Sequence, residues 1–445
     1  MPDKISVLTI EVGSTITKVN GFAHTSGRPL VHLAQGFAPT SINQGDVRIG
    51  VDQAMDQLKK RDLPFADDVE TFINSSAAGG LRMTVHGLTY NMTARAAREA
   101  ALGAGAIVKK VTAGSLDEYE LQEVQEIHPN IILLAGGVDF GEKSIVLENA
   151  KKIASLNLPV PVVYAGNSAL RKPIAQLFHE AGIECLLADN VFPEVDVLNI
   201  LPLRRIIHEV FNRHIIHAPG MSRLAELTSK EILPTPGVVL QASELLADAH
   251  GDCLVFDVGG ATTDVHSVTD GSPEWANRQV ETEPRAKRTV EGDLGVYINA
   301  RNIIEITENW GQEDQLVFLQ PIPSTDDEIE LTRWLCGKAV ELSALRHAGV
   351  VSDLYTPTGK KYIVKGKDLS AVKWVIGTGG ALTRIQGGKD ILAKICTGPG
   401  KHLLPKPGTP IRLDRNYLFS ALGTVAQSYP DEVALTFENW LENEE

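Results

Sequence analysis

Cysteine is scarce in this chain, and the few cysteines present are widely spaced. The four residues, Cys185, Cys253, Cys336 and Cys396, form no C-x-x-C pair. This spacing excludes a zinc knuckle and a cysteine-ligated iron–sulfur centre, whose thiolates come in close sets. It is typical of reduced thiols in the cytoplasm, which is the compartment we expect.

Long apolar runs and basic clusters are also missing. No segment reaches the roughly 18 apolar residues that span a bilayer, and the N-terminus lacks a signal-peptide profile. Asp and Glu total 56 against 42 Lys and Arg, a formal net charge of −14. The longest basic cluster, residues 285–288, is short and is predicted to be a solvated surface or partner patch. We therefore expect neither a membrane nor nucleic acid, which needs clustered Lys and Arg, as a partner.

What the chain does contain is a pair of near-duplicate turns, one in each half. In both, an apolar strand leads into an acidic residue, a turn of small residues and another strand. The first comprises Glu11, Val12, Gly13, Ser14 and Thr15, with Lys18 just beyond. The second comprises Asp257, Val258, Gly259, Gly260, Ala261, Thr262, Thr263 and Asp264. Two similar half-domains would grip the phosphates of one nucleotide from opposite sides in this way.

A third glycine-rich turn near the C-terminus supports the same interpretation. It comprises Gly377, Thr378, Gly379, Gly380, Ala381 and Leu382. It begins like a dinucleotide fingerprint, but Leu382 stands where the last glycine should be. The chain has no P-loop motif, and His208, His214 and His217 miss the spacing of a zinc peptidase. Helix-end packing or capping is the simpler role for His214 and His217.

The composition of the turns suggests their chemistry. Glycines let backbone N–H groups approach phosphate oxygens and form an anion-binding nest. The hydroxyls of Ser14, Thr15, Thr262 and Thr263 add donors, and Lys18 could add charge. Glu11 and Asp257 would hold Mg²⁺ or orient an attacking water, and Asp264 could complete the magnesium shell. The simpler alternative is two β-hairpins with solvent-facing acids; three such turns favour a nucleotide.

The rest of the chain alternates strands with helices, which predicts an α/β fold with mainly buried sheets. The βαβ pattern at 107–190 predicts an inserted α/β subdomain with a parallel sheet. A strand near 71–74 is expected to end in the glycine-rich stretch 75–80. Small-residue helices near 100–106 and 420–426 resemble each other, which suggests a duplicated domain with a cleft between the halves.

The three turns resemble the phosphate-1, phosphate-2 and adenosine motifs of the actin/heat-shock-ATPase/sugar-kinase superfamily. More narrowly, the sequence resembles the MutL/GlmL family, accessory proteins of glutamate mutase and related cobalamin-dependent aminomutases. The matching blocks cover most of the chain: 91–106, 129–139, 193–224, 234–246, 252–267, 288–300 and 375–382. The most specific of them are 257–268 and 288–295.

The resemblance implies duplicated actin-like (ribonuclease H-like) ATPase domains that flank a nucleotide cleft. The first half would comprise 1–106 and the helical connection 191–250, interrupted by the subdomain at 107–190; the second half would comprise 251–445. It also implies an ATP- and Mg²⁺-dependent chaperone that reactivates an adenosylcobalamin-dependent mutase. The mutase subunits would be its partners, with a homodimer left open.

By motif position, the resemblance assigns roles to individual residues. Catalysis would involve Asp257, Glu11 and Asp264, and the metal would lie at Glu11 and Asp257. The nucleotide would be held by Gly13, Ser14, Thr15, Lys18, Gly259, Gly260, Ala261, Thr262, Thr263, Gly377, Thr378, Gly379, Gly380 and Leu382. The superfamily normally carries Asp where this chain has Glu11. The extra methylene moves the carboxylate by ~1 Å, enough to affect catalytic geometry, so we expect slow hydrolysis.

Two other functions stay open at this point. A small-molecule kinase of the same superfamily would need a catalytic base, for which Asp264 or Asp293 could serve. A scaffold could instead bind ATP without hydrolysing it and stabilise a mutase complex.

Overall fold

The computed structural model describes residues 4–77, 81–215, 217, 220–308, 314, 316–357 and 359–443. The strands are β1 (Ile5–Val12), β2 (Ile16–Ala23), β3 (Val31–Pro39), β4 (Phe65–Ser75), β5 (Arg82–Gly87), β6 (Ile107–Ala113), β7 (Ile131–Leu134), β8 (Val162–Tyr164), β9 (Cys185–Leu187), β10 (Ile232–Pro234), β11 (Cys253–Val258), β12 (Thr263–Val268), β13 (Ala286–Glu291), β14 (Val350–Thr356), β15 (Gly359–Lys365), β16 (Trp374–Thr378) and β17 (Ile411–Leu413).

The helices lie between and after these strands. They are α1 (Arg48–Lys59), α2 (Arg95–Gly103), α3 (Glu118–Ile127), α4 (Ser144–Ser155), α5 (Arg171–Glu180), α6 (Leu201–Ile215), α7 (Thr235–His250), α8 (Pro273–Ala276), α9 (Ala300–Thr307), α10 (Asp326–His347), α11 (Gly380–Thr383), α12 (Gly388–Ala393), α13 (Phe419–Val425) and α14 (Pro430–Glu442). Within the described part of the chain, no helix is both long and apolar enough to cross a membrane.

Two five-stranded sheets repeat one topology. The first has the order β10-β4-β1-β2-β3 and the second β17-β16-β11-β12-β13. In each, three antiparallel strands form a meander, and the other two strands run parallel to its first strand. This is the duplicated, ribonuclease H-like arrangement of the actin fold, so the predicted fold class is confirmed.

The central strands of these sheets are buried along nearly their whole length, as in β1 and β11. Such burial is expected of strands covered on both faces, and their apolar runs reflect it.

The third five-stranded sheet is parallel throughout, with the order β6-β5-β7-β8-β9. It forms the predicted inserted α/β subdomain between β4 and α6. The sheet also contains β5, a strand the sequence analysis did not predict, which precedes residue 107. The glycine-rich stretch predicted to end β4, 75–80, lies partly outside the described residues.

A shared core joins the two halves through α7 and α13. Each helix follows the last strand of its sheet, so α7 is the counterpart of α13. The resemblance between 100–106 and 420–426 was therefore misleading, because α2 instead follows β5 of the inserted sheet. At the crossing, a Cβ on Gly423 would lie 2.0 Å from the carbonyl oxygen of Val238, so only glycine allows this approach.

Candidate nucleotide site

The two predicted phosphate turns connect equivalent strands and have the same backbone geometry. In the first, the Gly13 amide donates to the Ile16 carbonyl at 3.1 Å; in the second, the Gly259 amide donates to the Thr262 carbonyl at 2.9 Å. The acidic residue also occupies the same register in both hairpins, with Glu11 opposite Lys18. In the second hairpin Asp257 is opposite Asp264.

Thr40 holds two carbonyl groups of the first turn by hydrogen bonds. The Thr40 hydroxyl donates to the Gly13 carbonyl at 2.8 Å, and its amide donates to the Thr15 carbonyl at 2.9 Å. The amides of Ser14 and Thr15 donate to no described residue, and both side chains are exposed. The turn therefore has two free amide donors, while the carbonyls of Gly13 and Thr15 are already bonded to Thr40.

The second turn is held in the same way by the loop that precedes α9. Val296 and Tyr297 donate their amides to the carbonyls of Gly259 and Gly260 at 3.1 and 2.9 Å. The Asn299 side chain donates to the Ala261 carbonyl at 2.7 Å. For the amides of residues 260–262 the described structure provides no acceptor. Outward amides over anchored carbonyls are the arrangement of an anion-binding nest.

Glu11 is buried, and both its carboxylate oxygens have partners. Lys18 Nζ lies 2.7 Å from Oε1, and the Ser420 hydroxyl donates to Oε2 at 2.5 Å. Burial alone would lower the pKa of Lys18, but the charges of Glu11 and Asp257 outweigh it, so this pKa lies above its ordinary value. Glu11 therefore links the first half to α13 of the second half.

A buried chain of hydrogen bonds extends this link between the halves. Thr424 donates to the Ser420 carbonyl at 2.6 Å and accepts from the Asn74 amide group at 2.7 Å. The amide oxygen of Asn74 accepts from Thr235 at 2.7 Å. The chain thus runs from the N-terminus of α7, through β4 and α13, to Glu11.

Asp257 lies among carboxylates with little compensating charge. Burial, followed by the negative charge of Asp264, raises the pKa of Asp257 to about 7. Glu11 and Asp414 act in the same direction, while Lys18 opposes them. The Asp257 carboxylate makes no hydrogen bond to a described side chain. A bound cation would relieve this excess of negative charge.

Asp264 is held by an arginine that the sequence analysis placed at the surface. Arg288 donates through Nε and Nη2 to one Asp264 oxygen at 2.9 and 2.5 Å. The remaining nitrogen of Arg288, Nη1, donates to the Leu102 carbonyl at the end of α2, at 2.9 Å. Arg288 is buried and Lys287 is mostly buried, so the prediction of a solvated basic cluster at 285–288 was wrong for these two residues.

The third turn packs directly on the second. Gly379 has a φ of 85°, and a Cβ there would lie 2.4 Å from the Val258 carbonyl oxygen, so the position requires glycine. The ring of Tyr417, which faces Gly380, lies between Lys18 Nζ at 4.8 Å and the Arg384 guanidinium at 4.7 Å. The third turn and both acidic residues therefore share one region.

Several predicted contact residues lie inside the protein. The Thr263 hydroxyl donates to the Leu294 carbonyl at 2.7 Å, and the Thr378 hydroxyl donates to Asp414 at 3.0 Å. Gly377 and Leu382 are also buried. These four residues support the turns from within, whereas Gly379 and Gly380 reach the surface.

The donor set fits Mg²⁺ only as part of a nucleotide complex. No group of three or more His, Cys, Asp or Glu side chains among the described residues could hold a metal by itself. Of the two predicted ligands, Asp257 has oxygens without a side-chain partner, whereas Glu11 has both engaged. Mg²⁺ commonly binds through one or two carboxylates, waters and phosphate oxygens, and Asp257 suits that mode.

Sequence reasoning missed the residues that support the site from a distance. They are Thr40, Asn299, Asp414, Ser420 and Arg288. Asp414 accepts from the amides of Leu418 and Phe419, at 2.8 and 2.9 Å, at the start of α13. An acidic residue shortly before a helix was the available signal for Asp414. Arg288 and Asn299 lie in the block 288–300 that resembles the MutL/GlmL family, whereas Thr40 and Ser420 carry no signal in the local sequence.

Comparisons of the sequence with known proteins match nearly the whole chain. A family model described as MutL protein matches residues 7–441. Protein MutL of Clostridium tetanomorphum is 35% identical over 464 residues, covering 98% of both chains.

Solved structures give weaker likenesses. Component A of (R)-2-hydroxyglutaryl-CoA dehydratase from Acidaminococcus fermentans is 9% identical, covers 99% of this chain and 100% of its own, and has a TM-score of 0.31. A glycerol dehydratase reactivase is 8% identical, covers 95% and 99%, and has a TM-score of 0.33. Superpositions this loose carry no functional argument. The full-length sequence match, in contrast, shows that this chain belongs to the MutL protein family.

Proposed function

We propose that this protein binds and slowly hydrolyses ATP, and that it uses the nucleotide to reactivate or stabilise an adenosylcobalamin-dependent mutase. The observation that carries the nucleotide part is the matched pair of turns. In each turn, successive amides have no acceptor in the described structure, while carbonyls of the turn accept hydrogen bonds from the neighbouring loop. Two unrelated hairpins would have no reason to share this feature.

The residues of the two turns would divide the work of holding the phosphates. The amides of Ser14 and Thr15 would donate from one side, and those of Gly260, Ala261 and Thr262 from the other. Lys18 would supply positive charge after exchanging Glu11 for a phosphate oxygen. Gly379 and Gly380 would leave room for the adenosine.

Asp257 would hold a water of the magnesium shell and orient the attacking water. Asp257 would help to hold Mg²⁺, which when bound would neutralise the charge that develops on the phosphates. Water would attack the γ-phosphorus, and the bond to the oxygen bridging the β- and γ-phosphates would break, giving ADP and phosphate. We expect hydrolysis to be slow because Lys18 and Ser420 already bind the Glu11 carboxylate. The ion pair between Lys18 and Glu11 must therefore open first.

The kinase alternative is less well supported by the geometry. Of the two carboxylates considered as the base, Asp264 is paired with Arg288. Asp293 receives two hydrogen bonds from Arg346, at 2.8 and 2.9 Å, and these lower its pKa. A carboxylate held by a guanidinium is a poor acceptor for a substrate proton.

Product analysis tests the nucleotide part. The purified chain is incubated with ATP and Mg²⁺, and ADP, free phosphate and phosphorylated metabolites are measured. ADP with equimolar phosphate supports the ATPase; a phosphorylated metabolite would identify a kinase, and ATP bound without ADP a scaffold. Asp257→Ala should abolish phosphate release, whereas Glu11→Asp should leave it unchanged or raise it. Complete loss of activity in Glu11→Asp would contradict our account of the slow rate.

The proposal that an adenosylcobalamin-dependent mutase is the client of this protein is supported by the family and by the resemblance to mutase accessory proteins. Its test is the recovery of activity by an inactivated adenosylcobalamin-dependent mutase from the same organism, with and without this protein and ATP. No recovery and no stabilisation of the mutase would refute the assignment.

A further inference from the structure

A loop at the carboxyl end of the inserted parallel sheet presents an aromatic side chain to solvent. Phe140, in the loop after β7, is 79% exposed. Its φ is 62°, in the left-handed region that bulky residues rarely adopt. The backbone strain brings no packing in return, since the ring remains in water. Backbone strain maintained at an exposed aromatic residue points to a contact with another molecule.

The loop is held rigidly by a buried asparagine. Asn167 Oδ1 accepts from the Phe140 amide at 3.0 Å, and its Nδ2 donates to the Glu142 carbonyl at 3.1 Å. Asp139 Oδ1 accepts from the Ser168 amide at 2.8 Å and from Asn190 at 2.9 Å. Because the backbone is already ordered, binding through the ring would cost little conformational entropy.

The segment after β9 is joined to this loop and carries two further exposed apolar side chains. The Asp139 amide donates to the Pro193 carbonyl at 2.9 Å, which joins the loop to the segment after β9. In that segment Val195 is 63% exposed and Val197 43% exposed. We call Phe140, Val195 and Val197 the Phe140 patch.

The charges on the two segments that carry the Phe140 patch, 138–143 and 193–197, are mainly negative. Glu194 and Asp196 are exposed and alternate with the two valines, and Glu142 is half-buried beside Phe140. Lys143 is the one basic residue of the adjoining loop segment 138–143. A complementary surface would have an apolar pocket bordered by Lys and Arg. A second copy of this chain, with the same acidic border and a formal net charge of −14, would be repelled.

We propose that the Phe140 patch is the docking site for the client mutase, with the Phe140 ring as its central anchor. This rests on the proposed function and adds the location of the contact. Aromatic residues, Phe among them, are enriched in protein–protein interfaces, whose rims are polar. The client surface would carry an apolar pocket with basic residues at its edge.

Binding measurements with defined proteins test the proposal. The full chain is titrated with the purified subunits of the adenosylcobalamin-dependent mutase of the same organism. Phe140→Asp should weaken binding by about 30-fold, as expected for a hot-spot residue. The matched control is Tyr119→Asp on α3 of the same subdomain, where the side chain is 80% exposed; binding should be unchanged. ATP hydrolysis should be unaffected in both variants.

Two further variants separate docking from a structural role. Phe140→Gly relieves the backbone strain, so it should raise Tm while weakening mutase binding. A lower Tm would mean that the ring supports the fold, and it would overturn the proposal. Charge reversal in Glu194→Lys with Asp196→Lys should slow association and reduce its salt dependence.

The outcomes distinguish this proposal from the function on which it rests. If the native chain binds the mutase and Phe140→Asp binds equally well, the patch is wrong and the proposed function stands. If the native chain hydrolyses ATP but binds no mutase subunit, the client assignment fails and the docking site fails with it. A dimer in sedimentation that Phe140→Asp dissociates would show that a second copy occupies the patch, which also overturns the proposal.

Discussion

The ion pair between Arg288 and Asp264 should be one of the most costly interactions to break in this protein. We consider Arg288→Leu, which removes the cation and keeps much of the side-chain volume. The Arg288 side chain is 2% exposed and that of Asp264 11% exposed, so the remaining carboxylate would stay largely buried. It would also lie opposite Asp257 without a counter-charge.

Removing one partner of a buried pair costs about 3–5 kcal/mol. The Leu102 carbonyl also loses its donor, which adds about 1 kcal/mol. We therefore expect Arg288→Leu to lower the free energy of unfolding by about 4–6 kcal/mol. Adding Asp264→Asn should recover part of this loss, since no unpaired charge would remain.

Urea denaturation followed by circular dichroism measures the effect. The control is Arg171→Leu, which breaks a solvent-exposed pair with Asp189 at 2.9 Å. Those side chains are 35% and 65% exposed, so this change should cost at most about 1 kcal/mol. If Arg288→Leu costs no more than Arg171→Leu, or if Asp264→Asn recovers nothing, the pair does not have the role we assign to it.

Two other predictions concern packing and acid stability. Gly423→Ala should lower Tm, because its Cβ would lie 2.0 Å from the Val238 carbonyl oxygen and overpacking costs about 1–3 kcal/mol. Gly337→Ala in α10, where the nearest atom is 4.0 Å away, should be neutral or stabilising, and equal behaviour of the two variants would contradict the close crossing of α7 and α13. Burial lowers the pKa of His86 to about 3, so the folded state stays unprotonated there while the unfolded state takes up a proton below pH 6.5. The stabilising contribution of the unprotonated His86 ring is therefore complete above pH 6.5. It is lost as the pH falls towards 3, at about 1.4 kcal/mol per pH unit. His86→Asn should reduce the slope of unfolding free energy against pH, and a slope equal to that of the native protein would refute this.

The local parts of the fold were accessible from the sequence, whereas β5, an interior strand of the inserted sheet, was not. The paired turns follow apolar strands with clear boundaries, so their positions could be predicted. In contrast, β5 carries Arg82, Thr84 and His86 in only six residues, which does not resemble a buried strand. Its polar side chains are tolerated because the His86 ring bonds to the hydroxyls of Thr84 and Thr112. Thr112 lies on the neighbouring strand, and no local pattern shows that contact.

The candidate site divides in the same way. Its glycines, acids and Lys18 lie in compact motifs, so the turns could be located. The sequence could not show that Arg288 would be drawn inside by Asp264 and a helix-end carbonyl, or that Thr263 and Leu382 would face the core. Those positions depend on which segments pack together, and the segments in contact lie far apart in the sequence.

The buried chain from Thr235 through Asn74, Thr424 and Ser420 to Glu11 couples two equilibria. The same hydrogen bonds that hold one half of the protein against the other end on a carboxylate of the nucleotide site. A ligand that draws Lys18 away from Glu11 alters the terminal bond of this chain, and so changes how firmly the halves are joined. Linkage makes the effect reciprocal: closer association of the halves should change nucleotide affinity by the same free energy by which the nucleotide changes that association. A substitution at Thr235, at the opposite end of the hydrogen-bonded chain from Glu11, should therefore alter nucleotide affinity.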